Sequence, residues 1–81
     1  MNRNFVVLPL IPGNIFNGEN TSYRNVGIPI NNIIEVREVL DKNAYGKTTP
    51  EIKTVITMDN GMCYYSAMGT NRICNIINDN E

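Results

Sequence analysis

Four consecutive residues, Gly69-Thr70-Asn71-Arg72, are the stretch of this sequence whose types and spacing could do chemistry. They separate Tyr64-Tyr65-Ser66, which reads as a strand, from Ile73-Cys74-Asn75-Ile76-Ile77, which carries isoleucines at helical spacing. A helix starting here would point its first free N–H groups outward, and its dipole would favour an anion at that end. Gly69 allows close approach, and the Arg72 guanidinium could make a bidentate contact with a phosphate or carboxylate. Tyr64 or Tyr65 could stack on a base, with Arg24 or Arg37 arriving from a neighbouring segment or protomer. The same four residues also serve as plain punctuation. In that reading Gly69 ends the strand, Thr70 caps the helix and Arg72 is solvated.

Little else resembles chemistry. There is no histidine, so acid–base work would fall to carboxylates, Lys or Tyr with shifted pKa values. The eight carboxylates are dispersed, and Ser66 and Cys63 have no identifiable base. Two cysteines without C-x-x-C spacing do not make a zinc site. The expectation is a non-enzyme with no metal and no cofactor. Gly46-Lys47-Thr48 matches the tail of a phosphate-binding loop, but Asp41 stands where that motif needs a glycine, and Pro50 follows instead of a helix.

The bulk composition bounds the rest. Eighty-one residues make one domain, 1–81, with a thin core that oligomerisation would help to stabilise. The net charge of −1 and singly scattered basic residues argue against duplex nucleic acid as a partner. No apolar run reaches membrane-spanning length, and no signal-peptide pattern is present. A cytoplasmic protein with reduced, buried thiols is expected, an intersubunit or structural disulfide being the alternative. The 14 asparagines and 11 isoleucines suggest an AT-rich coding sequence, as in a low-GC bacterium or its phage.

The elements that must hold Gly69–Arg72 can be read in order. Asn4 to Leu10 is a strand, expected at an edge or cut short because Pro9 lacks a ladder donor. Pro12 to Gly27 is a Gly/Asn-rich loop with Ile15 and Phe16 as an apolar tip. Val26 to Leu40 turns at Asn31-Asn32. It then alternates, with Ile34, Val36, Glu38 and Leu40 on one face and Ile33, Glu35, Arg37 and Val39 on the other. Asp41 to Pro50 is a loop.

Ile52 to Ala67 is a hairpin around Asn60-Gly61, read as a two-residue turn. That register puts Ile52, Ile56, Met58, Cys63, Tyr65 and Ala67 in the core. It leaves Lys53, Val55, Thr57, Tyr64 and Ser66 on a half-wet face. A helix of about two turns follows, with Ile73, Ile76 and Ile77 inward and residues 78–81 frayed. The predicted fold is mainly β (α+β): an antiparallel meander or barrel-like sheet of four or five strands with one short C-terminal helix.

Asn31, Ile34 and Glu35, then Thr54, Ile56, Asn60 and Gly61, then Tyr64 or Tyr65 follow a recognisable order. Across residues 28–77 the chain resembles the FlbD family of small flagellar and swarming-motility proteins. The resemblance implies a strand, a tyrosine-bearing hairpin and a short helix, with a motility accessory role. The helix of that family usually opens with Glu-Ser-x-Glu-Glu, whereas this chain has Met68-Gly69-Thr70-Asn71-Arg72.

Two function classes emerge. The first is a non-catalytic, oligomeric, phage-type protein that sequesters a small anionic, nucleotide-like signal between protomers and so counters host defence. Its site is Gly69, Thr70, Asn71, Arg72, Tyr64, Arg24 and Arg37. The second is a protein-interaction module, either a motility accessory or an inhibitor of a host protein, docking through Val55 and Tyr64.

Overall fold

The computed structural model describes residues 5–17, 22–48 and 50–79. Asn4, the loop tip at 18–21 and the expected fraying at 80–81 lie outside the described residues. Among the described residues, five antiparallel strands form one open sheet, with a helix after them. They are β1 (Phe5–Pro12), β2 (Arg24–Pro29), β3 (Ile33–Glu38), β4 (Thr54–Met58) and β5 (Cys63–Ser66), followed by α1 (Thr70–Asp79). The sheet order is β2-β1-β5-β4-β3. This is the small mainly-β fold with one C-terminal helix that the sequence predicts.

β2 and β3 are the two edges of the sheet, yet only the 3₁₀ turn Ile30–Asn32 joins them. Five flat strands would set those edges about 19 Å apart, at ~4.8 Å per strand. A three-residue 3₁₀ turn spans about 6 Å. The sheet must therefore curl until its edges nearly meet at this corner. Asn32 secures the corner: its carbonyl accepts the Asp59 N–H at 2.8 Å, and its side-chain amide donates to the Asp59 carboxylate at 3.1 Å.

The core fills the inside of that curl. Val6, Leu8 and Leu10 from β1, Ile28 from β2, Ile56 and Met58 from β4, and Ile73 and Ile77 from α1 are all buried in one cluster. Ile76 packs against it, so the isoleucine stripe faces as its spacing predicts.

Five expectations need correction. β1 runs through Pro9 to Pro12 rather than stopping at Leu10. At Pro9 it has β2 on one side only, because β5 joins at Ile11 and Pro12, so the missing N–H disrupts no ladder there. β2 begins at Arg24, inside the stretch expected to be loop, because pairing with β1 outweighs the local turn residues. The alternation in β3 breaks at Ile34, where a bulge shifts the register between Ile33 and Glu35. Ile33 therefore packs on the core with Val36, and Ile34 is exposed.

The hairpin also closes differently. Met58 N–H donates to Met62 C=O at 2.8 Å, so the loop holds three residues, Asp59, Asn60 and Gly61, with Gly61 at φ 87°. Every pairing moves by one: Thr57 faces Cys63, Ile56 faces Tyr64 and Val55 faces Tyr65. Tyr64 therefore sits on the core side, and Cys63 and Tyr65 on the other. Finally, α1 has ten residues and includes Asn78 and Asp79, which were expected to fray.

The reverse side of the sheet is covered around Tyr65. Tyr65 lies between Ile11 and Val55 in one row across three strands, and both neighbours are almost wholly buried. The Phe16 and Tyr45 rings pack on Tyr65, each with its centroid 4.8 Å away. Burial in this cluster pushes the Tyr65 hydroxyl above its ordinary pKa; Tyr45 and Cys63 add to the rise, and Arg37 works against it.

Candidate functional site

Residues Gly69 to Arg72 form the turn from β5 into α1, and the position of that turn is set from below by buried hydroxyls. Thr54 and Ser66 face each other across the β4–β5 ladder and are fully buried. The Thr54 hydroxyl donates to the Met68 carbonyl at 2.7 Å. That uses its single proton, so the 2.9 Å contact between Thr54 and Thr70 has Thr70 as donor. The Ser66 hydroxyl accepts the Met68 N–H at 3.0 Å. These bonds clamp the chain on both sides of Met68.

The clamp changes the role expected of Thr70. The first helical bond runs from Ile73 N–H to Gly69 C=O at 3.1 Å, so Gly69 occupies the cap position and Thr70 is the first helical residue. The Thr70 hydroxyl points to Thr54 instead of capping.

Above the clamp lies an open depression of about 260 Å³, lined by Gly69, Thr70, Asn71, Arg72 and Glu38. Arg72 and Asn71 are exposed, and no carboxylate lies within 4 Å of the Arg72 guanidinium among the described residues. First-turn amides, the dipole and Arg72 all favour an anion at this spot. Glu38 opposes one. It reaches the depression because it shares the core-side parity of Val36 at the end of β3.

The structure thus gathers four of the seven expected site residues and separates three. Tyr64 packs against the core, opposite Ile56, and does not line the depression. Arg24 pairs with Leu10 at the start of β2. Arg37 pairs with Val55 and sits on the Tyr65 side of the sheet, opposite in parity to Glu38. Neither arginine lines the depression. Sequence reasoning missed Glu38 and the Thr54–Ser66 clamp. Two polar residues at core-parity positions of the hairpin were the available signal, and they become visible only in the correct register.

A second surface stands out. The outer face of the β1–β2 hairpin sets Phe5 beside Pro29, Val7 beside Gly27 and Pro9 beside Asn25. Phe5 is 61% and Val7 65% exposed, and no residue in those three pairs carries a charge. Val55 and Tyr64, the expected docking pair, are by contrast buried and packed on the core respectively.

Cys63 and Cys74 are half-buried free thiols, and no group of three or more metal-ligating side chains occurs among the described residues. No described helix is long and apolar enough to cross a membrane. No family model, curated protein or solved structure matches the chain.

Proposed function

We propose that the chain is a non-catalytic binding protein that docks a partner protein through the outer face of β1 and β2. The observation that carries this reading is the pair of exposed side chains Phe5 and Val7 on an uncharged strip. Gly27 leaves a notch beside Val7 into which a partner side chain can fit. Each of these side chains is worth about 1.5–3 kcal/mol when buried, enough for one pair to anchor an interface. A motility accessory of the FlbD type or an inhibitor of a host protein are two versions of this reading.

Its test is Val7→Glu. The substituted side chain points to solvent, so the melting temperature should stay within a few degrees of the parent. Affinity for a partner captured by the parent chain and rebuilt from purified components should fall about thirtyfold or more. Equal affinity of the two chains removes the reading.

The depression at the start of α1 favours a second one: sequestration of a small anionic, nucleotide-type ligand by an oligomer. Here Glu38→Gln should raise the thermal shift produced by a bound nucleotide or cyclic nucleotide, and Arg72→Ala should abolish it. A shift that ignores both substitutions would place the ligand elsewhere.

A further inference from the structure

The edge strand β3 carries information that the docking reading does not use. Val39 N–H donates to Lys53 C=O at 2.9 Å, and at the other end Asp59 N–H donates to Asn32 C=O at 2.8 Å. These bonds fix the alternation of the ladder. Glu35 and Arg37 turn their backbone groups towards β4, and Val36 and Glu38 turn theirs outward. β3 has no strand on that side, and no other described segment hydrogen-bonds to Val36 or Glu38.

We propose that β3 pairs antiparallel with β3 of a second copy, about a two-fold axis through Val36. The charges on the strand select this occupant and this register. With the axis at Val36, the outward N–H and C=O groups of the two Val36 residues exchange both hydrogen bonds. Glu35 of each copy then stands directly opposite Arg37 of the other, as a non-hydrogen-bonded pair with side chains about 5 Å apart. Both residues are exposed and share one side of the sheet.

Neighbouring registers put like charges together. An axis at Glu35 opposes two glutamates, one at Arg37 opposes two arginines, and one at Glu38 again opposes two glutamates. A register offset by one residue would set outward groups against inward ones. The bulge at Ile34 ends the regular ladder just beyond the charged pair, which keeps the edge from templating longer aggregates. The interface is short, so the dimer is expected to be weak and to depend on salt.

The experiment uses sedimentation equilibrium on the whole chain. The parent should dimerise reversibly below about 1 mM. Arg37→Glu and Glu35→Arg should each weaken self-association about tenfold, because both symmetric pairs turn from attraction to repulsion. An equimolar mixture of the two variants should recover parental affinity as a heterodimer, since every 35–37 contact then joins opposite charges again. Circular dichroism should show both variants folded, because neither side chain is buried.

A parent that stays monomeric at 1 mM overturns the proposal. So do single variants that associate like the parent, or a mixture that recovers nothing. A dimer indifferent to both substitutions but broken by Val7→Glu would assign self-association to the β1–β2 face, which separates this proposal from the docking reading.

Discussion

Truncating Ile73 to alanine should cost the domain about 3–4 kcal/mol, within the range for removing a buried isoleucine where the surroundings cannot collapse. Ile73 is fully buried and belongs to the cluster that contains Leu8, Leu10, Ile28 and Ile56. It is therefore the point at which α1 enters the curl of the sheet. A ten-residue helix is marginal in water by itself, so its helicity depends on this docking. A domain of this length has about 4–12 kcal/mol of stability in all, and the loss is a large share of it. Urea unfolding should show a lower midpoint with little change in slope, and helical ellipticity should be lost in the same transition. Asn75→Ala, at an exposed position of the same helix, should shift stability by no more than about 0.5 kcal/mol. Equal effects from the two substitutions would mean that α1 is not held by its isoleucines.

The second large effect is expected at Gly13. Its N–H donates to the Cys63 carbonyl at 2.7 Å, and a Cβ added there would lie 2.8 Å from that same oxygen. Real Cβ atoms do not come so close to backbone, and a carbonyl in a strand cannot rotate aside. The β1–β5 contact would have to open, and it consists of only the pairs Ile11–Tyr65 and Pro12–Tyr64 beyond this bond. Gly13→Ala should therefore cost about 2 kcal/mol and Gly13→Val about 3 kcal/mol, combining overpacking with a lost hydrogen bond. Gly69→Ala provides the contrast. No atom lies within 4 Å of its added Cβ, and the change should cost under about 1 kcal/mol even at a cap position. Equal stability of the Gly13 and Gly69 variants, measured by thermal and urea melts, would refute the close-approach argument.

Periodicity and turn residues made most of the elements legible, because those signals are local. The helix stripe Ile73, Ile76 and Ile77 faces as its spacing says. The hairpin around Asn60-Gly61 exists, but the number of residues in its loop depends on a backbone choice that Asn-Gly alone does not dictate. One extra loop residue sent Tyr64 to the core and Tyr65 to the aromatic cluster, because side chains in a strand alternate with a period of two. The bulge at Ile34 did the same on a smaller scale. At the candidate site, the Gly69–Arg72 turn was visible as a turn. Glu38 reaches it only through β3–β4 pairing, and Thr70 is diverted from capping by Thr54, sixteen residues earlier in sequence. Long-range pairing leaves no local signal in the chain.

The 3₁₀ turn Ile30–Asn32 also shapes how the molecule can assemble in time. On one side of it β1 and β2 pair as neighbours in sequence; on the other β3, β4 and β5 do the same. Both groups can form through short loop closures, which are entropically mild. Among the strand pairings, only the union of Ile11 and Pro12 with Tyr65 and Tyr64 spans most of the chain, and the docking of Ile73 and Ile77 against Leu8 and Leu10 joins the same two ends. That union is the strand pairing of highest contact order, so it is expected to limit the rate of folding and to be the line along which the native state opens. The sheet is thus two sequence-local modules joined at one turn and zipped along one short boundary.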